Sequence, residues 1–394
     1  MKIYLTVICV VFVINEAKLK HDSIPNIPED GKLDFVGLAT KYGAKTEEHD
    51  IITDDGYVLK LFHLLGDRVR PVLLNHGAIQ SSDTFILRGN TSLAIQLVKR
   101  GYDLWLLNIR GNRYSRRHLY LNPNSDEKFW DYSFVEFGKF DMSAAIDYIL
   151  HATGEKRLSV IGFSEGTTSM YALGILKPEY NDKVKIHVSL APVCYLHNTG
   201  PIMSHIIENS EQINHGLLLS NSNEVAGFYS PAKKLSDVLC TQKKVSYDLC
   251  LIGILFPVTG VDTREIEENF FHVAMGHFPA GTSRKNLYHL GQIGVRRVFA
   301  HFDYGSKRNK AVYGTDTPPK LDLTKITMKT ALIVGKGDRI SSVRDVNLLK
   351  KELPNVVKYV VMKPDYFGHL NFVWGKNTHK LMFPIIFKLL EEYQ

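Results

Sequence analysis

Leu158-Ser159-Val160-Ile161-Gly162-Phe163-Ser164-Glu165-Gly166 joins an apolar, β-branched run to a G-x-S-x-G pentapeptide, and this junction decides how the chain is built. The run reads as a short buried strand, and residues 165–176 read as a helix. A serine between the two sits on a turn so sharp that neither flanking position has room for a Cβ. Its hydroxyl is lifted clear of a sheet, and the helix N-terminus beside it favours negative charge. An ordinary glycine-rich turn is the competing reading; the placement between strand and helix argues against it.

The same alternation extends outward in both directions. Asp54-Asp55-Gly56 is a turn signal between apolar runs at 49–53 and 57–64, which predicts an opening hairpin. Residues 72–75 and 104–108 read as buried strands separated by a helix over 92–100. Residues 134–151 read as a helix with Ile146, Ile149 and Leu150 on one side. A strand over 184–190 follows, and the rhythm breaks at Ala191-Pro192. Within residues 193–327 the segments 202–209, 235–240, 249–255, 266–275 and 284–299 look helical. The rhythm then returns with a strand (330–335), a helix (343–353), a strand (356–362) and a closing helix (378–391). The expected fold class is α/β, with a mostly parallel central sheet, helices on both faces and an inserted helical cap with a lid, the α/β-hydrolase arrangement. Its core spans residues 18–192 and 328–394. No internal repeat or low-complexity tract interrupts it.

The chain has 394 residues, 44% hydrophobic and 23% charged, which is enough apolar material for a large core with an insertion. The formal net charge of +7 is unchanged when residues 1–17 are removed, because that segment carries one Lys (Lys2) and one Glu (Glu16). A basic excess of this size is ordinary for solubility and also compatible with anionic lipid surfaces. There is no zinc-type Cys/His spacing, no phosphate loop and no RNA-binding signature, so metal and nucleic-acid roles find no support. Residues 1–17 combine one positive charge with an apolar run containing Val10, Val11 and Phe12, the layout of a signal peptide. Cleavage at Ala17 is expected although Asn15 is not ideal there; a signal anchor is the alternative. No other stretch is long and apolar enough to span a bilayer, so stable membrane insertion is not expected. With Cys9 inside the leader, Cys194, Cys240 and Cys250 remain for an oxidising compartment. The nearest pair in sequence, Cys240 and Cys250, is expected to bridge, leaving Cys194 as a buried thiol. Asn90-Thr91-Ser92 is a glycosylation triplet, with Asn90 as the acceptor.

A serine hydroxyl needs a base, and the base needs an acid to hold its tautomer. Asp338 follows the strand at 330–335, at a carboxyl end where such groups collect; Asp345 falls in the next helix. His369 follows the last strand, whereas His379 lies in the closing helix and His272, His277, His289 and His301 lie in the insertion. The expected triad is Ser164, Asp338 and His369. The expected oxyanion donors are the backbone N–H groups of Glu165 and Ala78, the latter in the loop after Asn75-His76-Gly77. His76 is read as structural. The Glu165 carboxylate, one residue from the nucleophile, should oppose a developing oxyanion and so favour activity in acid. The alternative is that it points away and pairs with a cation.

These residues resemble the gastric and lysosomal acid lipases and their insect relatives. The resemblance rests on Asn75-His76-Gly77 with Ser81-Ser82-Asp83, on the run Asn108 to Arg116, and on Phe129-Trp130-Asp131. It continues through Gly166-Thr167-Thr168, Leu190-Ala191-Pro192-Val193, Pro279-Ala280-Gly281-Thr282-Ser283 and His369-Leu370-Asn371-Phe372-Val373-Trp374-Gly375, nearly the whole chain. It implies cofactor-independent hydrolysis of triacylglycerols or sterol esters with a lid inside the cap; apolar stretches of the insertion such as Leu249 to Val258 suit a lipid–water interface, and the leader suits a secreted protein, with lysosomal delivery as the alternative. It also implies the same triad positions and a Cys240–Cys250 disulfide. Phe163 and Glu165 stand where the family usually has His and Gln, and Ala78 replaces a larger aliphatic residue, which bears on rate, pH optimum and substrate preference. The competing functions are a soluble short-chain esterase and a lipid carrier without turnover. An intact triad argues against the carrier.

Overall fold

Eight strands form one sheet in the order β1-β2-β4-β3-β5-β6-β9-β10. The computed structural model describes residues 27–66, 70–230, 233–234, 239–240, 247–260 and 262–394. The expected signal peptide and most of the expected helix at 235–240 lie outside the described residues. β1 (Thr46–Ile52) and β2 (Val58–Leu64) form the expected antiparallel hairpin, and β2 runs antiparallel to β4 (Asp103–Leu107). From β4 onward, β3 (Pro71–Asn75), β5 (Leu158–Phe163), β6 (Val184–Leu190), β9 (Thr330–Gly335) and β10 (Val356–Met362) pair in parallel.

Every residue of β3, β4, β5 and β9 is buried, as strands covered on both faces require. Alternate side chains enter different cores. Val72, Leu74, Leu104 and Leu106 join one cluster, while Leu73, Trp105 and Leu107 join the other. The sheet therefore separates two hydrophobic layers, and its α/β-hydrolase class agrees with the expectation.

The segment between β6 and β9 is helical over Pro201–Glu208, Ser210–Leu219, Tyr247–Leu255, Phe256–Thr259, Glu268–His277, Arg284–Arg296 and Ser306–Tyr313. Four details depart from the reading of the sequence, the first being the helix Ser306–Tyr313, which lies outside the expected helical segments. A two-stranded ribbon, β7 (Glu224–Val225) with β8 (Thr282–Ser283), lies inside a span expected to hold helices alone. The helix Ser210–Leu219 was not expected, because only Leu217 of it is buried and its leucines are consecutive rather than periodic. The closing helix is split at Met382 into Thr378–Leu381 and Phe383–Glu392, where Pro384 supplies no N–H to continue the first piece.

Cys240 and Cys250 are joined by a disulfide with Cα atoms 5.6 Å apart, and Cys194 is a buried free thiol. Asn90 is exposed in the turn Gly89–Thr91. Among the described residues, no helix is long and apolar enough to cross a membrane.

Candidate active site

Ser164 stands between β5 and the helix Glu165–Leu176 with φ +53°, a left-handed conformation that a serine adopts only when its surroundings force it. The forcing contacts lie around the following glycine. A Cβ on Gly166 would come within 2.3 Å of the Asn75 carbonyl oxygen and 2.8 Å of that of His76. Gly162 is less constrained, its Cβ falling 2.9 Å from the Gly166 oxygen. The turn is therefore clamped between β3 and β5, and the Ser164 backbone N–H donates to Leu190 on β6 over 2.9 Å.

Three carboxyl ends of the sheet deliver three side chains to one line. Ser164 Oγ lies 2.8 Å from His369 Nε2, and His369 Nδ1 lies 2.8 Å from Asp338 Oδ2. The other oxygen of Asp338 accepts from the backbone N–H groups of Ile340 and Ser341, both at 2.8 Å, which fixes the carboxylate. His369 is anchored through its own N–H to the carbonyl of Thr259, in the segment between β6 and β9. All three side-chain positions are buried. The arrangement allows the imidazole to take a proton from the serine hydroxyl while the aspartate balances the resulting charge.

Of the two expected oxyanion donors, Glu165 adjoins Ser164 in the chain, and Ala78 follows Gly77, on which a Cβ would fall 3.1 Å from the Ser164 Cβ. Glu165 N–H is at the first position of its helix, and neither it nor Ala78 N–H donates to another group among the described residues. Next to Ala78, Ile79 has φ +53° and its carbonyl accepts from Ala280 N–H at 2.7 Å, so the inserted segment holds this loop. His76 is buried, with Nδ1 2.9 Å from the Gly77 oxygen and Nε2 3.1 Å from Asn112 Nδ2. Burial pushes its pKa down to about 4, so it is neutral and structural, and it does not reach the serine.

Neither alternative for Glu165 describes its surroundings fully. The side chain is buried; Oε1 accepts from Asn286 Nδ2 at 2.6 Å, and Oε2 has no partner among the described residues. Its partner is a neutral amide on the helix Arg284–Arg296 and not a cation. Burial pushes the carboxyl up to about 7, against which the Asn286 bond pulls weakly. Asn286 was missed in the sequence because nothing local marks a residue 121 positions from its partner. Phe163, where the family usually has His, places its ring 5.2 Å from that of His369 and walls the base from one side.

The fold and this site define a serine carboxylic ester hydrolase. Residues 70–231 match a family described as the alpha/beta hydrolase fold, and residues 35–89 match the partial alpha/beta-hydrolase lipase region. The chain is 34% identical to Lipase 1 of Drosophila melanogaster over 93% of this chain and 81% of that protein. It is 30% identical to human gastric triacylglycerol lipase over 90% of each chain. A soluble variant of monoglyceride lipase from Saccharomyces cerevisiae superimposes with a TM-score of 0.54 at 14% identity, covering 89% of this chain and 95% of that one. The chain belongs to the acid lipase family of α/β-hydrolases, as the resemblance read from its motifs implies.

Proposed function

We propose that this enzyme cleaves the esters of neutral lipids, triacylglycerols or sterol esters, at a lipid–water interface through an acyl-enzyme on Ser164. The observation that carries the reading is the unbroken Ser164–His369–Asp338 hydrogen-bond chain beneath an inserted segment with outward-facing apolar residues. Leu249, Ile252 and Ile254 of Tyr247–Leu255, and Leu218 and Leu219 at the end of Ser210–Leu219, are exposed. Large apolar side chains exposed on this cover suit a lipid surface better than water.

In the first half-reaction, Ser164 Oγ attacks the ester carbonyl as His369 Nε2 takes its proton. The oxyanion is met by the N–H groups of Ala78 and Glu165, and Asp338 stabilises the imidazolium. His369 then protonates the departing alcohol. Water, activated by the same imidazole, releases the fatty acid. Residues 193–327 act as cap and lid in this scheme, with the Cys240–Cys250 disulfide tying the lid. Residues 1–17 direct the chain to the secretory route, where Asn90 is glycosylated; the product is extracellular, or lysosomal as the alternative destination.

The test is hydrolysis of a short-chain chromogenic ester below and above its solubility limit, run beside a covalent serine-directed probe. A rate that jumps when the ester forms a separate phase supports the interfacial lipase. A rate that saturates below that limit identifies a soluble esterase instead, and labelling without turnover identifies a lipid carrier.

A further inference from the structure

Far from the nucleophile, the β1–β2 hairpin gathers a second set of imidazoles and carboxylates. Glu47 on β1 pairs directly across from His63 on β2, and His49 lies two residues along β1 on the same face. Glu47 Oε2 is 3.3 Å from His63 Nδ1 and 3.4 Å from His49 Nε2, so two ring nitrogens converge on one carboxylate oxygen. The remaining ring nitrogens are already engaged: His63 Nε2 is 2.5 Å from Asp103 Oδ1, and His49 Nδ1 is 2.9 Å from the Tyr148 hydroxyl. Asp103 is held in turn by the Trp105 indole N–H at 2.8 Å, and Trp105 stacks on His63 with ring centroids 3.7 Å apart. Among the described residues, Glu47 pairs with no lysine or arginine.

An imidazole that donates from one nitrogen presents a lone pair at the other. Among the described residues His49 Nε2 is buried and makes no hydrogen bond although Glu47 Oε2 is 3.4 Å away, and a cation lying between the two groups would satisfy both. We propose that Glu47, His49 and His63 form a binding site for a divalent transition-metal ion of the zinc type. Tetrahedral zinc with bonds of about 2.0–2.1 Å sets its donor atoms about 3.3–3.4 Å apart, which matches both contacts to Glu47. The three donor atoms lie within 4.8 Å of one another, and water completes the shell. The donor set of two imidazoles and one carboxylate favours zinc over the oxygen-seeking Ca²⁺ and Mg²⁺. Asp103 and Tyr148 are the outer groups that orient metal-binding histidines and fix which nitrogen faces the ion. Glu47 is half exposed, which leaves an entry path.

The site is remote from hydrolysis. Glu47, His63, Trp105, Leu73 and Val160 form one row across five strands, and four strand spacings of about 4.8 Å place the cluster roughly 20 Å from the nucleophile's strand. The sequence did not announce it, because the spacing of Glu47, His49 and His63 matches no metal motif until the hairpin register brings them together.

The test is calorimetric titration of the metal-stripped full chain with Zn²⁺, repeated with Glu47→Gln and His49→Gln, each checked for ester turnover. The expected result is one Zn²⁺ per wild-type chain, bound at least tenfold more weakly or not at all by each variant, with turnover in both within twofold of wild type. Excess Mg²⁺ should not displace the ion. Failure of the wild type to bind Zn²⁺ overturns the proposal. So does Zn²⁺ binding that neither variant weakens, or a site that Mg²⁺ competes for equally.

Discussion

Among the described residues three histidines, His369, His63 and His277, are each held by an aspartate at one ring nitrogen, and what faces the other nitrogen separates the first two. His369, gripped by Asp338, points Nε2 at a hydroxyl, whereas His63, gripped by Asp103, points Nδ1 at the Glu47 carboxylate. A hydroxyl has a proton to give, so the first arrangement makes a nucleophile. A carboxylate has none, so the second arrangement holds a cation between its groups, a proton on the imidazole or the metal ion proposed above. The comparison teaches that the aspartate orients the imidazole, and the third atom selects the chemistry.

The largest effect should come from removing that third atom at the reactive end. Ser164→Ala should lower kcat by about 10⁶ while leaving the fold intact, leaving a residual of about 10³ to 10⁴ above the uncatalysed reaction. Substantial turnover of the purified variant would assign the wrong nucleophile. His369→Ala should be similarly severe.

The same Asp→Asn change at the two pairs tests the comparison most directly. Asp338→Asn should cost about 10⁴ in kcat, because the amide favours the wrong tautomer of His369. Asp103→Asn should change kcat by no more than about twofold, since distant sites without shared partners act independently. Equal losses from both would show that the two ends of the sheet are coupled.

Gly166→Ala probes the scaffold beneath the serine. The added Cβ meets two carbonyl oxygens of the β3 end that cannot retreat, so unfolding free energy should fall by about 3 kcal/mol or more in denaturant titration. Gly162→Ala should cost less, and a reversed order would mean that the clamp has been misidentified.

Glu165→Gln gives a modest rate effect and a distinct stability signature. The folded carboxyl lies at about 7 against an ordinary 4.5, raised by burial, so stability is whole below about 4.5 and is lost as pH rises towards 7. The glutamine variant should lack this loss. It should be more stable than wild type by roughly 3 kcal/mol above pH 7.5 and closely similar near pH 4. Its turnover should exceed that of wild type by roughly threefold to tenfold above pH 7, where the wild-type charge opposes the oxyanion, and converge with it in acid. Superimposable pH profiles for the two proteins would remove Glu165 from any part in tuning the site.

The readings that rested on short stretches of chain agree with the structure in kind and nearly in boundary. The strand at 158–163, the helix at 165–176, the opening hairpin and the order of Ser164, Asp338 and His369 after successive strands all follow from periodicity, glycine placement and turn residues. Those signals act over a few residues, so they are written locally. The inserted segment was harder to read. Its ribbon pairs Glu224–Val225 with Thr282–Ser283 across a long separation, and its helix Ser210–Leu219 buries too little to show a period.

The sequence by itself determined the α/β architecture, the chain order of Ser164, Asp338 and His369 that the fold draws into one hydrogen-bonded line, and the cysteine pair, because each depends on neighbours along the chain or on a fixed topological order. Only the tertiary structure decided that Glu165 meets Asn286 and is pushed towards neutrality, and that Glu47, His49 and His63 share one point in space. Burial and cross-strand register arise when distant segments close on one another. A carboxyl group's charge and an imidazole's partner are therefore properties of the folded surroundings, which no local stretch of residues carries.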